Sequence, residues 1–179
     1  MINARAAKIK LVLFDVDGVL TDGKILLHAD GTESKVFDIK DGTGIVWAQR
    51  LGLTVGFLSA RSSAATAQRA AQLGITLLHQ GVAAKLDTYE QIADSLMLDD
   101  EEVAYMGDDI LDLPVLARVG LSAAPADATE DVRSRVHWVA KANGGAGAAR
   151  EFIELILRAQ GLWDTVLATY LNVPESQQS

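Results

Sequence analysis

The run Leu11-Val12-Leu13-Phe14 ends abruptly in Asp15-Val16-Asp17-Gly18, and this junction constrains the fold more than any other stretch of the chain. Four consecutive apolar residues with no polar alternate suit a strand covered on both faces, as in a parallel sheet between helical layers. Aspartates placed where such a strand leaves the sheet stand on the edge at which open α/β sheets bind ligands. Held about 4 Å apart, the two carboxylates repel by roughly 4 kcal/mol at an effective dielectric near 20, so a cation, a proton or a reaction has to offset them. A strand-terminal Asp-Gly turn without function is the alternative. Polar and acidic residues recurring at three later strand ends argue against it.

Downstream, the pattern predicts a projecting β-hairpin: Lys24–His28 and Glu33–Ile39 flank Ala29-Asp30-Gly31-Thr32, an Asp-Gly hairpin signal. From Asp41 strands and helices alternate. Helices are predicted at Asp41–Arg50, Ser62–Gln72 and Lys85–Leu98, the last with Leu86, Tyr89, Ile92, Ala93 and Leu96 on one face. Strands are predicted at Leu53–Leu58, Ile75–Leu78, Val103–Met106, Gly120–Ala123 and Val136–Val139, with a short helix ending near Ala117. A glycine-rich loop, Asn143–Gly147, precedes a helix over Ala148–Gln160 with Phe152, Leu155, Ile156 and Ala159 in phase. A last helix over Leu162–Leu171 exposes Trp163, Leu167 and Tyr170. Such alternation implies a doubly wound parallel α/β sheet. Residues 1–171 are read as one domain carrying a hairpin over about 22–39, and residues 172–179 as a disordered polar tail.

Composition removes several classes. A net charge of −8 argues against a phosphate-backbone surface, so no nucleic acid partner is expected. The absence of cysteine excludes disulfides, thiolate metal sites and cysteine nucleophiles. No apolar run approaches the roughly 20 residues that cross a bilayer, so no membrane association is expected and the cytoplasm is the default compartment. His28, His79 and His137 are scattered and no GxSxG elbow is present, which speaks against a Ser-His-Asp hydrolase. The glycine-rich loops match neither GxxxxGK[ST] nor GxGxxG.

Four predicted strands end in residues able to do chemistry: Asp15 and Asp17; Ser59, followed by Arg61; Lys85, just beyond the third; and Asp108-Asp109, with Asp112 a turn later. One rim of a parallel sheet would bring them together. Carboxylate oxygens suit a hard ion such as Mg²⁺, which binds one or two carboxylates together with a substrate phosphate.

The stretches DVDGVLTDG, KVFDIKDGTGI, LSARS, RAAQLGI, HQGVAAK, AYMGDDILDLPVL and GGAGAAREF, in this order, resemble the haloacid dehalogenase superfamily of phosphotransferases, and within it the capless, tetrameric branch. The resemblance spans nearly the whole chain. It implies a Rossmann-like sheet with an inserted hairpin flap and no large cap domain. It also implies a Mg²⁺-dependent phosphomonoesterase for a phosphorylated 2-keto-3-deoxy sugar acid, the eight-carbon octulosonate of lipopolysaccharide synthesis. On this resemblance Asp15 is the nucleophile that forms an aspartyl phosphate, and Asp17 protonates the leaving alkoxide and then deprotonates water. Asp15, Asp108 and the backbone carbonyl of Asp17 hold the metal. Asp109 and Asp112 stand behind it or act as helix N-terminal acids. Ser59 and Lys85 hold the phosphoryl oxygens. Asp38, Ile39, Lys40, Asp41, Gly42, Arg61 and Arg69 are implied for the organic part of the substrate, the arginines gripping its carboxylate.

Two departures from the relatives stand out. Ala60 replaces a frequent glycine, where a positive φ would carry strain, and Val46 replaces a basic side chain. The resemblance further implies a homotetramer with the Glu33–Ile39 strand buried between subunits, and the Gly144–Gly147 loop reaching toward an active site. Two alternatives stay open: a nine-carbon sugar acid 9-phosphate as substrate, against which Arg61 speaks, and a non-catalytic assembly or regulatory module.

Overall fold

The strand β1 (Leu11–Phe14) is buried along its whole length, as its uninterrupted apolar run requires. Its side chains alternate across the sheet: Val12 and Phe14 enter one core, Leu11 and Leu13 the other. The computed structural model, which describes residues 2–171, sets β1 at the centre of a six-stranded parallel sheet. The tail expected over residues 172–179 lies outside the described residues. On one side of β1 are β4 (Thr54–Leu58) and β5 (Leu77–His79), and on the other β6 (Val103–Met106), β7 (Leu121–Ala124) and β8 (Trp138–Val139), in the order β5-β4-β1-β6-β7-β8. Leu11 faces Thr54 of β4 and Val103 of β6. The chain winds outward from β1 to β5, then returns to β6 on the opposite side of β1. The reversal opens a crevice beyond the C-terminal ends of β1 and β6.

Helices cover both faces. One core takes side chains from α2 (Ile39–Arg50), α3 (Ala64–Gln72) and α7 (Ala148–Ala159), together with Val166 of α8 (Trp163–Leu171). The other takes Tyr89, Ile92 and Ala93 of α4 (Lys85–Leu96), Val115 and Leu116 of α5 (Leu113–Leu116) and Val132 of α6 (Glu130–Arg133). Among the described residues, no helix is long and apolar enough to cross a membrane.

The sequence reading needs correction in several places, beginning with Leu96, expected on the inner face of α4 but exposed. A short N-terminal helix, α1 (Ile2–Ala6), was not expected; it is fixed by burial of Ala6 and by an Arg5 guanidinium N–H donated to the Gly120 carbonyl at 2.6 Å. The hairpin ladder is only two residues long on each side, β2 (Leu26–Leu27) against β3 (Glu33–Ser34). It stops there because Lys35 and Phe37 turn inward, Lys35 to Asp17 and Phe37 onto the core. The inward stripe of α7 runs through Ala148, Ala149, Phe152, Ile153, Ile156 and Leu157, leaving Leu155 and Ala159 half-buried. Trp163 is half-buried, edge-on to Trp47 and under the Arg158 guanidinium, while Leu167 and Tyr170 are exposed.

Candidate active site

Ends of adjacent parallel strands deliver the carboxylates. Asp15 follows β1 and its N–H donates to the Met106 carbonyl at the end of β6, which ties the two strand ends together. Asp108 follows β6 by two residues. Gly18 has φ +92 and a Cβ there would collide with the Asp108 carboxylate, so only glycine lets the two loops approach this closely.

The ammonium of Lys85, the first residue of α4, is buried between two acids, 2.8 Å from Asp15 and 2.6 Å from Asp112. Burial pulls its pKa down, but the charges of Asp15 and Asp112 outweigh this and the net shift is upward. Asp112 is fully engaged: Oδ1 accepts from Lys85 and from the Tyr105 hydroxyl at 2.5 Å, and Oδ2 accepts from the backbone N–H groups of Asp108 and Asp109. It therefore braces Lys85 and the Asp108 loop. Asp109 is exposed, and its carboxylate accepts from the Ile110 N–H at the start of a 3₁₀ turn.

Carboxylate oxygens of Asp15, Asp108 and Asp112 lie within 4.8 Å of one another. Burial and, after it, the Asp112 charge push Asp15 up to about 6, against the pull of Lys85. Burial and the charges of Asp15, Asp112 and Asp109 push Asp108 up to about 8. Asp108 Oδ1 is buried without a hydrogen-bond partner. With Asp112 saturated, the free oxygens belong to Asp15 and Asp108, and this hard, all-oxygen pair fits Mg²⁺.

Ser59 closes β4, buried, with its N–H bonded to the His79 carbonyl and its Oγ accepting from the Arg61 N–H at 3.3 Å. Ser59 lines one open cleft of about 280 Å³ with Asp15, Asp17, Arg61, Lys85, Asp108, Asp109 and Asp112. Met97 is the only non-glycine residue with positive φ among the described residues, so Ala60 carries no such strain.

The remaining predicted residues lie elsewhere. Asp38 caps α2 by accepting from the Lys40 and Asp41 N–H groups, and its carbonyl accepts from Arg69, whose guanidinium also lies over Phe37. Ile39 and Lys40 are exposed on the first turn. Asp41 is buried and accepts from the N–H groups of Gly147 and Arg150, capping α7 from α2; burial lifts it to about 6 despite those bonds. Gly42 packs beneath Arg69. Ile39, Gly42 and Arg69 belong to a second groove of about 290 Å³, shared with Val46 and Trp47, outside the carboxylate cleft. In the glycine-rich loop, the Gly145 N–H donates to the Val19 carbonyl and a Cβ on Gly144 would collide with the Gly18 carbonyl. The loop thus braces the turn after Asp17 in its own chain.

Sequence reasoning missed three members. Tyr105 was readable only as a lone hydroxyl in an apolar strand. Lys35 pairs with Asp17 at 2.6 Å, and Glu33 with Arg61 at 3.1 Å. Neither carries a local signal, because both sit in a hairpin whose charges read as solvated.

A family model for haloacid dehalogenase-like hydrolases matches residues 60–152. The chain is 44% identical over 156 residues to the 3-deoxy-D-manno-octulosonate 8-phosphate phosphatase KdsC of Yersinia pestis, covering 87% of this chain and 83% of the relative. Its fold is similar to the crystal structure of a probable YrbI family phosphatase from Pseudomonas syringae pv. phaseolica, with TM-score 0.95, 46% identity and coverage of 97% and 98%. It is also similar to that of 3-deoxy-D-manno-octulosonate 8-phosphate phosphatase from Moraxella catarrhalis in complex with magnesium ion, phosphate ion and KDO, with TM-score 0.93, 36% identity and coverage of 94% and 97%.

Proposed function

Since the chain belongs to the haloacid dehalogenase-like hydrolases, we propose that it is a Mg²⁺-dependent phosphomonoesterase releasing phosphate from 3-deoxy-D-manno-octulosonate 8-phosphate. One observation carries this reading: Asp15, with Lys85 at 2.8 Å, stands beside the unpartnered oxygen of Asp108 in an open cleft at the sheet's switch point. The substrates named for the similar proteins support the choice of sugar acid.

Asp15 attacks phosphorus, so a bond forms from its carboxylate oxygen as the bond to the sugar oxygen breaks. Asp17 gives its proton to that departing oxygen, then takes one from the water that cleaves the aspartyl phosphate. Lys85 aims the nucleophile and faces the negative charge spread over the transferring group; the Ser59 hydroxyl donates to the same oxygens. Asp112 and Tyr105 keep Lys85 in place. Held by Asp15, Asp108 and the Asp17 carbonyl, Mg²⁺ would neutralise charge on the carboxylates and phosphoryl oxygens.

Arg61, half exposed at the mouth of the cleft, takes the sugar carboxylate. Within the segment Asp38–Gly42 the exposed Ile39 and Lys40, with Arg69 beside them and Asp41 and Gly42 buried behind, serve a neighbouring subunit's cleft in a cytoplasmic homotetramer. The exposed apolar side chains of Leu26, Leu27, Val36 and Ile39 support burial of the hairpin between copies. The presence of Asp15, Asp17, Ser59, Lys85 and Asp108 together in this fold speaks against a non-catalytic module. The test is catalytic efficiency with Mg²⁺ on the eight-carbon and nine-carbon sugar acid phosphates. A clear preference for the eight-carbon ester is expected, and the opposite preference overturns the assignment.

A further inference from the structure

The side chain of Lys35 is fully buried, although it leaves a hairpin whose neighbouring Val36 is 78% exposed and whose Leu27 is 73% exposed. Its ammonium turns inward to carboxylates. It donates to Asp17 Oδ2 at 2.9 Å, stands 2.6 Å from Asp17 Oδ1, and lies 3.9 Å from Glu33. A buried ammonium is costly unless it is paired, and the pairing here falls on Asp17, a cleft aspartate outside the group formed by Asp15, Asp108 and Asp112.

We propose that Lys35 is the positioning residue for Asp17: it straddles both oxygens and holds this carboxyl group on the hairpin side of the cleft, facing the leaving-group oxygen. This rests on the phosphatase reading above. A proton donor has to stay within hydrogen-bond reach of the atom it protonates. A carboxylate beside a bound divalent cation is drawn toward that cation instead. The Lys35 ammonium, paired with both Asp17 oxygens, would oppose that pull. It touches no reacting atom and acts through Asp17. Glu33 makes a parallel arrangement with the Arg61 guanidinium, so the hairpin is pinned to the cleft by charges while Leu26, Leu27 and Val36 face outward.

The step concerned is the first half-reaction, in which the bond from Asp15 to phosphorus forms, the bond to the ester oxygen breaks, and the Asp17 proton passes to that oxygen. An alkyl ester such as the sugar acid phosphate needs this proton. An aryl phosphate whose phenolate is a stable leaving group does not. The ratio kcat/KM covers events only up to departure of the leaving group, so comparing the two esters isolates the proton transfer.

Wild type, Lys35→Met, Lys35→Gln and Lys35→Arg are to be compared on both esters with saturating Mg²⁺, with thermal melting as a check on folding. Lys35→Met is expected to lower kcat/KM about 30-fold on the alkyl ester and no more than about 3-fold on the aryl ester, a part of the roughly 100- to 10,000-fold that general-acid catalysis supplies. Lys35→Gln carries the same ratio should the methionine variant fold poorly, and Lys35→Arg restores most of the alkyl activity. Equal losses on the two esters, or none, overturn the proposal and leave Lys35 as a fastener of the hairpin. A wild type that hydrolyses neither ester overturns the phosphatase reading itself, and the role of Lys35 falls with it.

Discussion

At Asp108 repulsion and function meet. Burial and three neighbouring carboxylates raise its pKa to about 8, and one of its oxygens has no partner. Replacing it with asparagine removes a ligand and also relieves the repulsion. Asp108→Asn should therefore raise the stability of the metal-free protein by about 2 kcal/mol while abolishing turnover. In the wild type, Mg²⁺ at about 100 times its dissociation constant should add about 2.7 kcal/mol. Calorimetric melting with and without Mg²⁺ checks both effects, and an undiminished Mg²⁺ shift in the variant removes Asp108 from the ligands. Asp41 gives a pH prediction away from the cleft. Burial raises its folded pKa from 3.8 to about 6. The folded protein thus binds a proton more tightly than the unfolded chain, so this stabilising contribution is complete below pH 4 and is lost as pH rises through 6. The loss is about 3 kcal/mol. Asp41→Asn should flatten that segment of the stability profile by the same amount in urea titrations between pH 4 and 7; an unchanged slope contradicts the assignment.

Between elements, the contact of the glycine-rich loop with the turn after Asp17 is close enough to exclude a side chain. Gly144→Ala should destabilise the fold by about 1–3 kcal/mol, the usual cost of overpacking. It should lower kcat/KM as well, since relief of the collision shifts the Gly18 backbone over Asp108. Melting and kinetics on the same preparation test this, and an unchanged melting temperature argues against it. What the sequence revealed follows the same division between local and tertiary causes. The apolar run before Asp15, the βα alternation that implies a doubly wound parallel sheet, and the residues ending β1, β4 and β6 are encoded locally, in hydrophobic period and in Asp/Gly spacing. The short hairpin ladder was not legible, because the inward turn of Lys35 depends on a carboxylate 18 residues earlier in the chain. The sequence marks Asp38, Asp41 and Arg69 only as candidates for substrate contact. Their packing roles within one chain, capping α2, capping α7 and covering Phe37, were not legible, because these contacts arise only once α2, α3 and α7 are packed.

For the whole molecule, the open cleft and the apolar hairpin pose one problem. Leu26, Leu27, Val36 and Ile39 are each more than 60% exposed, and a two-stranded hairpin is marginal in water on its own. Burial between copies answers both, and light scattering at micromolar concentration should report a tetramer. A fully active monomer contradicts this. The central claim is that Asp15 takes up phosphate at the end of β1, and rapid acid quench during turnover followed by peptide mass spectrometry tests it most directly. With Mg²⁺ and 3-deoxy-D-manno-octulosonate 8-phosphate, the account predicts a phosphorylated Asp15 peptide in the wild type, and neither this adduct nor phosphate release in Asp15→Asn. Sustained phosphate release by Asp15→Asn, or phosphate trapped on a different residue, would contradict it.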